Sequence, residues 1–297
     1  MIDLDEFERT LPGGQRWENL TLANDFMFRA VFSDEELCLE LARILLPELD
    51  IERITLSERQ RAAHHTLDTR GVRFDVYLRD DKGRIINIEI QVANKHNLPR
   101  RTRVYHSIID LDAMDKSGGH LYNNMPEVIV IFICAFDPFG LNRHIYTFRN
   151  MCLEERGLLL DDGASTVFLN TKGRDKEVSP KVKAFLELLE GRSNDDDFVR
   201  RLEERMKYAR QDRFLRQDYL LEQFEVNERR AESIAEGRAE GRAEGRAEGR
   251  AEGRAEGHKE AAFAIARNLR GMGMNNEQIH KATGLSLEAI SSLDYKE

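Results

Sequence analysis

Cysteine is scarce in this chain, and the little there is lies scattered. Cys38, Cys134 and Cys152 share no paired spacing, which argues against a disulfide scaffold or a zinc site and fits a reducing cytoplasm. Long apolar runs are also missing. The longest, residues 128–136, is far too short to span a bilayer, so no membrane partner is expected. The opening stretch MIDLDEFERT is acidic and lacks an apolar core, so no signal peptide is expected and the expected location is cytoplasmic. Excess positive charge is absent too: the formal net charge is −9, which does not by itself announce a nucleic-acid partner. What remains is 297 residues, 41% hydrophobic and 33% charged, enough for one or two domains with a real core.

Within that chain, two adjacent runs alternate with period two. Val72, Phe74, Val76 and Leu78 alternate with Arg73, Asp75 and Tyr77; Ile86, Ile88, Ile90 and Val92 alternate with Asn87, Glu89 and Gln91. The pattern predicts two strands that bury one face. Gly83, in Asp80-Asp81-Lys82-Gly83-Arg84, suits the left-handed third position of a three-residue hairpin loop. That loop pairs Asp80 with Arg84, and counting back pairs Asp75 with Glu89. Two carboxylates roughly 5 Å apart repel unless something positive lies between them. A divalent metal is the natural candidate.

The distribution of charge says more than its sum. Residues 53–103 hold twelve Lys and Arg against six Asp and Glu. A basic stretch around the carboxylate pair suits a phosphate-backbone substrate, although solvated surface charge gives the same count. Hydrolysing a phosphodiester needs a metal-held water and charge neutralisation at the leaving oxygen. Asp75 and Glu89 are oxygen ligands of the kind magnesium prefers. Gln91 shares the face of Glu89 and can hydrogen-bond a phosphate oxygen or the attacking water, but it can neither act as a base nor carry charge.

Elsewhere, residues 23–46 read as helices, with Ser33-Asp34-Glu35-Glu36 as a helix start and Pro47 as a stop. Residues 51–60 read as a weak strand. Residues 99–114 read as a helix with Val104, Ile108 and Leu111 along one side and Arg100, Arg101 and Arg103 at its start. Residues 127–136 are a short, continuous apolar run rich in β-branched residues, the mark of a strand covered on both faces. Residues 143–150 and 165–170 read as further strands. The order helix, strand, strand, strand, helix, strand predicts an α/β layer with a mixed sheet. Ser179-Pro180 opens a later helix, and residues 195–225 form one or two charged ones.

Residues 238–257 are Arg-Ala-Glu-Gly five times. Every i,i+4 charged pair is Arg–Arg or Glu–Glu and repels, and each glycine costs about 1 kcal/mol against alanine in a helix. The tract is expected to be either a flexible or transient helical linker, or a helix that pairs with another copy. The last segment, 261–297, reads as short helices with a Thr283-Gly284-Leu285-Ser286 turn. Its spacing resembles a helix-turn-helix, but Glu288 and the lack of arginine on the third helix suit a packing or oligomerisation hairpin better.

Asp75, followed fourteen residues later by Glu89-Ile90-Gln91, resembles the PD-(D/E)XK nuclease motif, with glutamine replacing the usual lysine. Asn24-Asp25-Phe26-Met27-Phe28-Arg29-Ala30-Val31-Phe32, the Tyr105-His106-Ser107 helix, the 127–136 strand and the charged, glycine-spaced tail are similar to the bacterial Rpn family of recombination-promoting nucleases and transposase-like proteins. The resemblance covers most of residues 20–230. It implies a restriction-endonuclease-like α/β core, a mixed central sheet flanked by helices, with an all-helical C-terminal tail. It also implies a magnesium- or manganese-dependent DNA endonuclease linked to recombination, with Asp75 and Glu89 as metal ligands and Gln91 positioning water or phosphate. The expected domains are a core at 1–175, a helical extension at 176–230, the repeat at 231–260 and the tail at 261–297. Asp25 is a candidate further ligand or else a helix N-cap, and Arg100, Arg101 and Arg103 are candidate contacts to DNA phosphates. His64, His65 and His106 have no evident partner, and Tyr105 reads as packing. The rival expectations are a catalytically weak nuclease-fold protein that binds DNA or assembles through its tail, and a structure-specific resolvase.

Overall fold

Gly83 closes the hairpin as its place in the loop requires. Its φ is +82°, a conformation that costs residues with a Cβ about 1–2 kcal/mol. The Asp80 amide donates to Arg84 O at 3.0 Å, and Gly83 N donates to Asp80 O at 3.1 Å. The Asp80 side chain fastens the turn from inside: Oδ1 accepts from Arg84 N at 2.8 Å, and Arg84 Nε donates to Oδ2 at 2.6 Å. The flanking strands are β2 (Val76–Asp80) and β3 (Ile85–Gln91). They pair antiparallel with Val76 opposite Ile88 and Leu78 opposite Ile86. Continuing that register by one residue sets Asp75 across from Glu89, as the loop count requires.

The structure is a computed structural model that describes residues 3–56, 74–116, 122–174 and 178–293. Val72, Arg73, His64 and His65 lie outside the described residues. Among the described residues the sheet has six strands in the order β1-β2-β3-β4-β6-β5. These include β1 (Ile54–Leu56), β4 (Val128–Cys134), β5 (Ile145–Phe148) and β6 (Ala164–Asn170). β1, β2 and β3 run antiparallel, β3, β4 and β6 run parallel, and β5 returns antiparallel on β6. The sheet is therefore mixed, and the parallel step from β3 to β4 is made through α4 (Leu98–Lys116), as parallel neighbours require a crossover.

The two faces of the sheet carry two separate apolar layers. On one, Val76, Leu78, Ile86, Ile88, Ile129, Ile131, Ile133, Val167 and Leu169 pack with α2 (Asp25–Val31), α3 (Glu35–Leu45), α5 (Pro180–Leu189) and α6 (Asp197–Gln211). On the other, Tyr77, Ile85, Val130, Phe132, Cys134 and Phe168 pack with Leu98, Tyr105, Ile109 and Ala113 of α4. β4 is buried at all its positions, which accounts for its unbroken apolar run.

Three expectations change. The hairpin buries both faces: Asp75, Asn87, Glu89 and Gln91 are buried as well, because α4 lies over them. Phe74 does not continue the Val76 and Leu78 stripe. The chain bends at Asp75, and Phe74 joins Tyr77 and Tyr105 in the layer beneath α4. On α4 itself, Val104 and Leu111 are exposed, and the buried stripe is Leu98, Tyr105, Ile109 and Ala113.

The chain divides into two compact units, Met1–Glu222 and Gln223–Glu297. The first also holds α1 (Leu4–Thr10). The Arg-Ala-Glu-Gly tract lies in α7 (Arg213–Gly271), a continuous helix there, with its side chains exposed. Part of the cost of repelling arginines is met locally, since Arg242 Nε reaches Arg238 O at 3.0 Å and Arg246 Nε reaches Arg242 O at 3.1 Å. In the second unit, α8 (Asn276–Thr283) starts on an Asn275–Gln278 capping box and ends at left-handed Gly284, and α9 (Leu287–Ser291) starts on Ser286. Ala266, Ile279 and Ile290 form a small core there. Among the described residues no helix is long and apolar enough to cross a membrane.

Gly83→Ala is expected to destabilise the protein by about 1 kcal/mol through backbone strain alone, because only Arg79 Nη1, at 4.0 Å, comes near an added Cβ. Urea unfolding measures this, and unchanged stability contradicts the assigned turn.

Candidate active site

At the end of the β2–β3 ladder the two carboxylates clasp each other's strand. Asp75 Oδ2 accepts the Ile90 N–H at 3.0 Å, and Glu89 Oε1 accepts the Asp75 N–H at 3.2 Å. Each side chain thus satisfies a backbone donor on the neighbouring strand where the regular ladder stops. Glu89 is held further. Asn87 Nδ2 donates to Oε1 at 3.1 Å and the Tyr105 hydroxyl donates to Oε2 at 2.9 Å. Asn87 Oδ1 is buried and has no hydrogen-bond partner among the described residues.

Two guanidinium groups flank this pair. Arg29, on α2, lies 3.4 Å from Asp75 and donates from Nη2 to both Glu222 oxygens at 2.9 Å. Burial opposes its charge, but Glu222, Asp25 and Asp75 outweigh that and hold it protonated. Arg101, on α4, lies with Nη2 at 3.9 Å from Glu89. It donates from Nη1 to Gln91 Oε1 and from Nη2 to the Tyr105 hydroxyl at 2.8 Å. Gln91 is fixed at its other end, Nε2 donating to Ala93 O at 2.7 Å. Both polar ends of Gln91 are therefore engaged by protein.

The electrostatics follow from like charges in a dry place. Burial raises Asp75 to about 6, against the Ile90 N–H and Arg29, which pull it down. Burial raises Glu89 to about 8, and the nearby Asp75 charge pushes it the same way. Burial and the Glu89 charge raise Tyr105, so it remains a phenol that donates.

Asp75, Glu89, Gln91, Asp25, Arg29 and Arg101 line one open cleft of about 970 Å³. Asp25 is the first residue of α2, exposed on the cleft and 3.7 Å from Arg29, while the N-cap is Asn24, whose side chain accepts from Met27 N. Arg100 and Arg103 are exposed on the first turns of α4. His106 bonds Thr166 Oγ1 at 3.0 Å, and burial lowers its pKa, which keeps it neutral. It does not line the cleft. Several cations of the basic stretch serve the hairpin instead: Arg79 donates to Gly83 O and Arg84 pairs with Asp80.

Sequence reasoning missed Arg29, Glu222, Asn87 and the chemical part of Tyr105. Arg29 had a signal, as the lone charge in the apolar run Phe26-Met27-Phe28-Arg29-Ala30-Val31-Phe32. Arg101 and Tyr105 sit four apart, so they share a helix face. Glu222 had none.

The residues fit a hard divalent cation. Asp75 and Glu89 present carboxylate oxygens to one open cleft, a hard oxygen donor pair that suits magnesium or manganese. Among the described residues no group of three or more His, Cys, Asp and Glu is placed to hold a metal, so a cation held by Asp75 and Glu89 would keep several waters, as magnesium tolerates.

A family model described as PD-(D/E)XK nuclease family transposase matches residues 22–232. No curated protein and no solved structure matches the chain.

The raised carboxylates set a pH dependence. A group raised in the fold contributes stability that is present at low pH and lost as pH climbs through its folded value. With no cation added, the thermal midpoint is expected to fall as pH rises above the ordinary carboxylate range, because the fold holds the protons of this pair more tightly than the unfolded chain does. Glu89→Gln should flatten the upper part of that fall. Calorimetry across the range checks this, and parallel curves for the two proteins contradict it.

Proposed function

The chain belongs to the PD-(D/E)XK nuclease family transposases, and we propose that it is a magnesium-dependent DNA endonuclease whose cuts serve recombination. One observation carries the reading: Asp75 and Glu89, buried and clasped across two strands, lie in an open cleft. Burying two like charges this close is costly, and a bound cation is the arrangement that removes the cost.

In this reading Asp75 and Glu89 would hold the cation, while Asp25 lines the same cleft without making a third ligand beside them. When bound, the cation neutralises the scissile phosphate and acidifies a water. Hydrolysis adds a water oxygen to phosphorus as the bond to one ester oxygen breaks. The leaving oxygen takes up a proton and the water gives one up, both by exchange with solvent. Tyr105 and Asn87 fix the Glu89 carboxylate so that it does not rotate away, and Arg29 does the same for Asp75. Arg100 and Arg103, exposed at the start of α4, hold flanking DNA phosphates. The cutting core is residues 1–175, extended by helices at 176–230, and the repeat at 231–260 and the tail at 261–297 serve assembly with further copies. Arg29 beside Asp75 also favours a second reading, a DNA-binding protein with little catalysis, because it partly takes a cation's place.

Plasmid nicking with magnesium separates the two. The expected result is cleavage that Asp75→Ala and Glu89→Ala each reduce by roughly 100-fold or more, the scale of losing an electrostatic stabiliser, and that chelation abolishes. Undiminished cleavage in both variants refutes the site. Binding without cleavage on linear, supercoiled and branched DNA supports the second reading, and preference for the branched form identifies a structure-specific resolvase.

A further inference from the structure

The glutamine at position 91 leaves the floor of the cleft without a cation of its own on β3. The structure supplies one from α4. The Arg101 guanidinium lies over the rings of Tyr105 and Phe132, with its carbon 5.4 Å and 5.6 Å from their centroids. Gln91 Oε1 receives one Nη and the Tyr105 hydroxyl receives the other.

The chemistry of residue 91 then has a reason. Its Nε2 is committed to Ala93 O, so its oxygen is the end presented to Arg101. A lysine there has only donors and carries a like charge, and it would push Arg101 away. Glutamine at 91 and arginine at 101 form a matched set.

The charge of Arg101 is also available. Its two close partners are neutral, and the Glu89 oxygen is 3.9 Å away. Arg29 differs, because Glu222 engages it with both oxygens. A guanidinium carries five donors in a fixed fork. Gln91 and Tyr105 take two, and the side chain is 32% exposed on the cleft that holds Asp75 and Glu89. The remaining donors suit a tetrahedral oxyanion such as a phosphoryl group.

We propose that Arg101 is a catalytic residue, placing its guanidinium on a non-bridging oxygen of the scissile phosphate and stabilising the charge that builds there in the transition state, with Gln91 and Tyr105 as positioning residues. The assignment rests on the nuclease reading above and deepens it.

The test compares wild type, Arg101→Gln, Arg101→Lys and the double variant Gln91→Lys/Arg101→Gln, each checked for folding by circular dichroism. Cleavage is measured with magnesium, and DNA affinity by fluorescence anisotropy with calcium in its place. Arg101→Gln is expected to lower kcat by about 100-fold, with KM and the anisotropy Kd near wild type. Arg101→Lys loses less. The double variant recovers activity above Arg101→Gln, because a charge returns to the same spot from β3. Should Arg101→Gln fail to fold, Arg101→Met and Gln91→Lys/Arg101→Met take the places of the single and double variants in the same comparison. A full wild-type rate in Arg101→Gln overturns the assignment and leaves the nuclease reading standing. So does a loss confined to KM and Kd, which marks an ordinary backbone contact. No recovery in a folded double variant also overturns it. A wild type that cuts no DNA overturns both.

Discussion

The structure depends on two carboxylates that repel each other and yet hold each other's strand. Asp75 caps the Ile90 amide and Glu89 caps the Asp75 amide. The exchange needs both oxygens in place, so the β2–β3 register cannot slip without losing it. A one-residue slip would turn Glu89 to the opposite face and Ile88 or Ile90 into the cleft. The Gly83 turn, the Asp80–Arg84 lock and the ladder all converge on that register. The energetic tension of the pair is what the proposed cation would relieve.

The surrounding layers manage that tension. α4 covers the carboxylates and makes their environment dry, while the same helix brings Tyr105 to donate to Glu89 and Arg101 to offer charge. α2 brings Arg29 to Asp75 from the other side. Glu222, near the start of α7, holds Arg29. Arg29 is pinned by the Glu222 carboxylate and works on the fold, while Arg101 bonds two neutral groups with Glu89 3.9 Å away, and Lys95 also lines the cleft.

How much of this was legible follows from how local each signal is. The hairpin register was readable because period-two alternation and a three-residue glycine loop are both short-range patterns. The continuous run of β4 was readable because burial on both faces leaves no polar positions. The buried side of α4 was misread because two stripes compete. Val104, Ile108 and Leu111 are apolar, but Leu98, Tyr105, Ile109 and Ala113 are the ones placed over the sheet, and only the tertiary contact decides between them. Tyr105, read as packing, does pack in that layer, and its hydroxyl also donates to Glu89. The same limit hid the partnership of Arg29 with Glu222, which are separated by 193 residues. In the repeat, glycine cost and like-charge pairs leave a linker or a helix open; the chain is helical there, and Arg242 and Arg246 reach carbonyls one turn earlier.

The central claim is that Asp75 and Glu89 together form a divalent-cation site. Isothermal titration of manganese into the wild type and into the double variant Asp75→Asn/Glu89→Gln tests it most directly, since it needs neither DNA nor turnover. Saturable binding that strengthens as pH rises is expected in the wild type, and none in a folded double variant. Equal binding by the two proteins would contradict it.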